Sequence, residues 1–383
     1  MIAAISFWSS VALILYAYAG YPAALALLST VRNRSIAKTS VTPSVSFIIT
    51  AHNEEARIRH KIDNTLRLDY PPHALEVIVA SDCSTDQTDA IVGEYWPRVR
   101  LVRSSERNGK EAAQQLAVEN ARGDILVFSD VAAELDRDGI LTMVANFADP
   151  TVGCVSSADR VIDAGGRPSG EGLYVRYEMH LRALETRVNS LVGLSGSFFA
   201  ARREVCGRWA PDRQSDFNTL LNAIRIGLRG VLDSGTVCYY RNIAHDRREL
   251  ERKVRTVVRG LHVLSSNRDM LNPFRYGLFA WQLASHKLCR WLVPVAMIGA
   301  FISNLALLSR SHVYLGALIG QTAFYAVALA GLRSGSATLR APSFLLQANV
   351  GVLVAWYRFL RGDRIASWTP SDRTQALPRL DSR

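Results

Sequence analysis

The sequence predicts an α/β domain, a mixed, mostly parallel sheet with flanking helices, set between transmembrane helices at both ends. Three observations point to it. Between about residues 42 and 268, short near-continuous apolar runs alternate with segments of helical spacing, the pattern of parallel strands covered on both faces. Residues 1–31 carry no charge, and a second apolar region fills the C-terminal third. Of the 383 residues, 49% are hydrophobic, high for a water-soluble chain but suited to one sizeable domain plus several spans.

In chain order, the uncharged run over 1–31 is long enough to cross a bilayer. A signal peptide would open with basic residues and close on a small-residue cleavage site. This segment opens without charge and is followed by Arg32, Arg34 and Lys38. By the positive-inside tendency those residues put the next domain, 42–268, on the cytoplasmic side of the inner (plasma) membrane. There the strands read "SVSFIIT", "LEVIVASD", "VRLVRSS" and "DILVFSD". The helices between them read "EEARIRHKIDNTLRL", "DQTDAIVGEYW" and "GKEAAQQLAVENA". Residues 269–290 mix aromatics with Arg275, His286, Lys287 and Arg290, a composition suited to an interfacial helix or to an extension of the next span. Residues 291–360 hold two or three membrane segments, the third being 343–360, and 361–383 form a tail. Basic residues flank 343–360 on both sides, which leaves open a full span or a re-entrant segment.

The formal charge of +11 suits an anionic membrane face and a phosphorylated substrate. Nucleic acid is excluded as the partner, because the arginines cluster beside the spans and no recognition module appears. Cys83, Cys154, Cys206, Cys238 and Cys289 show neither metal-ligand spacing nor a disulfide framework, as expected of reduced thiols in a cytosolic domain.

Parallel sheets bind ligands beyond the carboxyl ends of their strands. Polar residues gather at those ends: His52, Asn53 and Glu54, then Ser81 and Asp82, then Ser129 and Asp130. No GxGxxG or GxxxxGK[ST] follows a strand, which weakens dinucleotide and P-loop readings. Lys110, in "RNGKEAA", remains a point charge for phosphate.

Together "SFIITAHNEE", "VIVASDCSTDQT", "RNGKEAA" and "DILVFSD" closely resemble the membrane-bound family 2 glycosyltransferases of GT-A fold. With the flanking helices, the layout is similar to synthases of the cellulose, chitin and hyaluronan type. The resemblance implies an inverting transfer of a sugar from a nucleotide sugar, expected to be a UDP-sugar, to a growing polysaccharide or lipid-linked glycan. A single addition to a polyprenyl-phosphate or other lipid acceptor is the alternative, and a degenerate non-catalytic subunit of a synthase complex is another. It also implies Mg2+ or Mn2+, and either a homo-oligomer or a synthase partner. Asn53, Glu54, Asp82, Lys110, Asp130, Arg252 and Arg255 fall at donor-side positions, with Asp82 toward the nucleoside and Asp130 on the metal. The second acid of the family's Asp-x-Asp is missing, for Ala132 stands there, and Glu134 lies two residues further on. Gly193, Ser195 and Gly196 match the acceptor segment, and Asp216 in "QSDF" stands where the family has its catalytic base. Its bland alternative is a helix N-cap. Where processive members carry Gln-x-x-Arg-Trp, this chain has Arg252, Arg255 and Thr256, and threonine cannot stack on a sugar. The terminal segment with Trp368 resembles one that closes over the nucleotide.

Overall fold

The computed structural model describes residues 1–162, 173–241, 246–334 and 339–363. The described chain divides into two compact units, one within residues 33–241, the other from 1–32 and 246–363. Trp368 lies outside the described residues.

The first unit is built on an eight-stranded sheet in the order β3-β2-β1-β4-β7-β6-β8-β5. Its strands are β1 (Val45–Ala51), β2 (Leu75–Ser81), β3 (Val99–Arg103), β4 (Ile125–Asp130), β5 (Glu134–Leu135), β6 (Val152–Ile162), β7 (Phe198–Arg202) and β8 (Arg229–Arg241). β1 lies parallel between β2 and β4, and β2 lies parallel to β3. β7 runs antiparallel to both β4 and β6. β6 and β8 are parallel, and β5 closes the far edge antiparallel to β8. This is the mixed, mostly parallel sheet that the sequence predicts.

All seven residues of β1 are buried, because both faces of the sheet are covered. Phe47 and Ile49 point into a core with Ile58, Ile62, Val77, Val79 and Ile140. Ile48 points the other way, to Ile78, Ala113, Ala117, Leu126 and Leu220. Two-sided burial is what makes such a strand read as a continuous apolar run rather than an alternating one. On the second face Phe128 stacks on Phe199, centroids 4.7 Å apart, and on Trp209 at 5.1 Å. The Trp209 indole N–H is satisfied by the Glu111 carbonyl at 2.9 Å.

Helix Leu173–Val188 leaves Arg176 and Arg187 exposed but turns part of its polar face inward. Arg182 and Glu185 are buried. The Arg182 guanidinium donates to Ser156 Oγ at 2.7 Å and to the Gly193 carbonyl at 3.1 Å. The i, i+3 spacing of charges finds a helix face here but not what covers it.

Among the described residues the second unit holds four helices long and apolar enough to cross a membrane: Ile2–Val31, Leu278–Leu305, His312–Leu332 and Ala341–Leu360. From Leu278 the helix runs on to Leu305, so most of the stretch with Lys287 and Arg290 is continuous with the span that follows. Two π-helical turns, Tyr16–Gly20 and Ala284–Cys289, carry polar groups into these helices. There the Tyr16 hydroxyl shares a hydrogen bond with Ser285 Oγ at 2.7 Å and accepts from Trp281 Nε1 at 2.9 Å. Pairing of this kind is what an apolar surround demands of polar groups. The same unit contains helix Asp246–Ser266 with Arg252, Arg255 and Arg259. Its opposite face buries Val254, Val258 and Leu261.

One close approach ties the segment before β4 to β1. Gly123 donates its N–H to Ser46 Oγ at 2.7 Å. A Cβ at this glycine would stand 2.3 Å from the Ser46 nitrogen and 2.5 Å from the Val45 carbonyl carbon, both backbone atoms of β1. Gly123→Ala is therefore expected to cost about 1–3 kcal/mol or more, read as a drop of several degrees in the thermal midpoint. An unchanged midpoint would show that the 121–125 segment can move away from β1.

Candidate active site

The parallel strands β1, β2 and β4 all end at one rim. β1 delivers a pair of turns locked to those that follow β2. His52 Nδ1 lies 2.7 Å from the Asp82 carbonyl. Asn53 has a positive φ of 52°, a conformation asparagine tolerates better than most residues. Its side chain accepts from the Thr85 amide at 2.8 Å and donates to Thr85 Oγ1 at 3.2 Å. Glu55 and Asp86 exchange a second set, Glu55 N to Asp86 Oδ2 and Gln87 N to Glu55 Oε2, each at 3.0 Å. Asn53 is thus exposed at the rim and braces it.

Asp82 is fully buried. Its Oδ1 accepts from the amides of Asn108 and Gly109 at 3.0 Å, and its Oδ2 from Gly109 at 3.1 Å. Gly109 takes φ 93°, which a side chain would resist. That turn starts helix Lys110–Asn120 and aims Lys110 across the rim. Lys110 Nζ meets Asp130 Oδ1 at 2.5 Å and the Gly196 carbonyl at 3.0 Å. Asp130, the last residue of β4, also gives its N–H to the Ser197 carbonyl at 3.0 Å. Its side chain is 27% exposed, whereas that of Lys110 is only 10% exposed.

The segment before β7 forms the other wall. Ser195 is buried, so it does not present its hydroxyl to a ligand. That hydroxyl bonds both oxygens of Asp159, at 2.8 and 2.7 Å. Gly193 is half-buried, its carbonyl taken by Arg182. Gly196 is exposed, and a Cβ added there would lie 3.4 Å from Asp216 Oδ2. Glycine therefore leaves the Asp216 carboxylate beside bare backbone. Asp216 follows Ser215 in helix Ser215–Arg225, and Gln214 holds the cap position without a side-chain cap bond. Gln214 Nε2 donates to Asp216 Oδ2 at 3.2 Å. The N-cap explanation for Asp216 accordingly fails. Asp212 is exposed, 3.9 Å from Arg213.

Lys110 thus bonds Asp130 and Gly196 directly, Asp82 holds the Gly109 turn before it, and Asp216 lies beside Gly196, with Asn53 and Glu54 on the same rim. Arg252 and Arg255 belong to the other unit, on Asp246–Ser266. There Thr256 returns its hydroxyl to the Arg252 carbonyl at 2.9 Å. Three residues that the sequence reading did not assign to the site support it. Asp159 is half-buried on β6 beside Ser195; burial pushes its carboxyl up, against hydrogen bonds from Ser195 and the charge of Arg182. Arg182 ties Ser156 to Gly193. Lys61, wholly buried on helix Ile58–Leu66, donates to the Ala133 carbonyl at 2.7 Å, just past Asp130. Burial pushes its ammonium down to about 8. A lysine within the apolar rhythm of that helix was the available signal.

Among the described residues no group of three or more His, Cys, Asp or Glu could hold a metal. Ala132 offers no donor, and Glu134 is buried on β5, with Oε1 3.7 Å from His60 Nε2. Asp130 fits such an ion only with oxygens that a ligand brings.

Residues 46–209, from β1 through β7, match the family model of glycosyl transferase family 2. The chain is 33% identical over 124 residues to a beta-monoglucosyldiacylglycerol synthase of Synechocystis sp., covering 31% of this chain and 26% of that protein. It is 32% identical over 129 residues to the probable glycosyltransferase YdaM of Bacillus subtilis, covering 32% and 31%. The chain therefore spans about a quarter to a third of the length of these curated relatives. The fold is similar to that of mannosyltransferase PcManGT from Pyrobaculum calidifontis, solved with GDP-Man and Mn2+. The TM-score is 0.72 at 23% identity, over 94% of this chain and 99% of that one. The fold is the GT-A type. The likeness holds at the level of family 2.

Glu54 gives the rim a pH dependence. Burial pushes its carboxyl up to about 7, although the Arg57 charge and hydrogen bond pull the other way and the Asp130 and Asp86 charges add to the rise. Between an ordinary value of 4.5 and about 7, the folded protein keeps a proton that the unfolded chain has lost. Stability is present below that window and falls as pH rises through it. Glu54→Gln is expected to flatten this fall, measured as thermal midpoints across pH 4.5 to 7. A variant with the slope of the wild type would place the titration elsewhere.

Proposed function

We propose that this chain is an inverting, membrane-associated glycosyltransferase that moves a sugar from a nucleotide sugar, a UDP-sugar in the first instance, to a lipid-linked acceptor. One observation carries the reading: Asp216 lies beside Gly196, whose carbonyl shares Lys110 with Asp130. A carboxylate able to take a proton and the charges suited to a diphosphate therefore stand on two sides of one short loop. Asp216 would remove the acceptor hydroxyl proton as that oxygen attacks the sugar carbon. Lys110 would meet the diphosphate as a point charge. A Mg2+ or Mn2+ ion on Asp130, completed by diphosphate oxygens, would neutralise the leaving group when bound. Asn53 and Asp82 would shape the nucleoside end of the same rim.

A lipid acceptor is supported by the membrane unit and by the lipid product that the Synechocystis relative's name records. Thr256, in the place where processive members stack a tryptophan, favours single addition over chain growth. On the same reading Arg252 and Arg255 serve an anionic group near the membrane. The catalytic unit is cytoplasmic, as Arg32, Arg34 and Lys38 suggest.

Asp216→Asn is expected to remain folded with near-normal nucleotide-sugar affinity, and to lose transfer by about 10²- to 10⁴-fold. The contribution of Asp216 to its helix terminus is worth only about 0.3–1 kcal/mol, so stability separates the two roles. Transfer near the wild-type rate would remove Asp216 from the chemistry. A cysteine replacing the exposed Glu94 should resist impermeant maleimide in intact cells and react after lysis. Labelling of intact cells would reverse the orientation.

A further inference from the structure

We propose that Lys110 is a resident counter-ion that keeps a divalent metal off Asp130 until a nucleoside diphosphate arrives. The proposal rests on the donor role of this rim argued above. Asp130 is the single acid at the end of β4, since position 132 is alanine. Lys110 already occupies it, with Nζ at 2.5 Å from Oδ1. The ammonium is not a loose surface cation. Its side chain is 10% exposed, its backbone is set by the Gly109 turn that Asp82 holds, and its second bond goes to the Gly196 carbonyl. One carboxylate neutralised by one ammonium has no net charge to attract a dication. Displacing Lys110 would also strand a nearly buried cation, which is costly.

A nucleoside diphosphate changes that balance. It brings negative charge of its own and phosphate oxygens, a strong partner for an ammonium. Lys110 can then move from Asp130 to phosphate, and Asp130 and the diphosphate can share the metal. The metal enters with the nucleotide rather than before it. The same transfer releases the Gly196 carbonyl, on the loop beside Asp216. Lys110 thus makes the acceptor wall respond to the donor, and the missing second acid becomes part of the device: a pair of acids would hold the metal without the nucleotide.

The test measures Mn2+ uptake by purified protein, from the paramagnetic resonance signal of free Mn2+, with no nucleotide and with UDP or GDP. Wild type is expected to take up Mn2+ only with nucleotide. Lys110→Gln is expected to bind Mn2+ without nucleotide at least about tenfold more tightly than wild type does. Lys110→Arg, which keeps the charge, should still exclude it, and a thermal melt confirms that each variant is folded. Equal uptake by wild type with and without nucleotide overturns the proposal, as does a folded Lys110→Gln that behaves like wild type. If the glutamine variant does not fold, nucleotide-free uptake by wild type or by Lys110→Arg still overturns it. If nucleotide binds by a separate fluorescence titration but leaves Mn2+ uptake unchanged, the counter-ion role falls and the donor reading stands. If neither UDP nor GDP binds, both fall.

Discussion

A carboxylate buried without a cation must be solvated by the chain itself, or the fold pays for stranding it. Asp82 is such a group, and the rim depends on how it is satisfied. Its side chain gathers the amides of Asn108 and Gly109. Its own N–H goes to the Ala51 carbonyl at 2.9 Å, and its carbonyl meets His52. One residue therefore joins the ends of β1 and β2 to the start of helix Lys110–Asn120. Everything that helix aims, Lys110 above all, inherits its position from there.

The charges behind this rim are held with little solvent to screen them. Lys61 and Glu54 are both buried, and burial moves each toward its neutral form. Lys61 spends its ammonium on the Ala133 carbonyl, so the turn after β4 is anchored by a cation rather than by packing alone. Asp159 plays a comparable part on the other wall, fixing Ser195 with both oxygens. Lys61 thus fixes the turn after β4, and Asp159 the loop that bears Gly196.

The first half of the fold was legible because two-sided burial writes itself into the sequence. β1, β2 and β4 read as continuous apolar runs, and their polar ends marked the rim. The second half was harder to read. β6 carries Ser156, Ser157 and Asp159 amid its apolar residues, and these polar groups are satisfied by one another and by Arg182, Ser195 and the Phe198 carbonyl. Partners so distant in sequence leave no local period. For the same reason nothing local marks Arg182 and Glu185 of Leu173–Val188 as buried while Arg176 on the same helix is exposed. Asp216 could be read as a cap because capping and catalysis favour the same residue type at a helix start, and only the position of Gln214 separates them. Lys38 and Arg34 are read from sequence as membrane-side charges. In the structure Lys38 pairs with Asp233 at 2.8 Å and Arg34 bonds Asn189 at 3.0 Å, so the fold uses them as well.

β7 enters the sheet antiparallel to β4, with Phe198 opposite Ser129. The chain that supplies the Gly193–Ser197 wall therefore arrives at the place where β4 leaves, and the two are stitched by the bond from Asp130 N–H to the Ser197 carbonyl. The ladder works as a ruler. A residue inserted before Phe198 would either be expelled as a bulge or turn each following side chain to the other face of the sheet. Divergence among relatives of this architecture should thus accumulate as substitutions around a segment of constant length between Gly193 and Phe198, with changes of length confined to connections that the ladder does not measure.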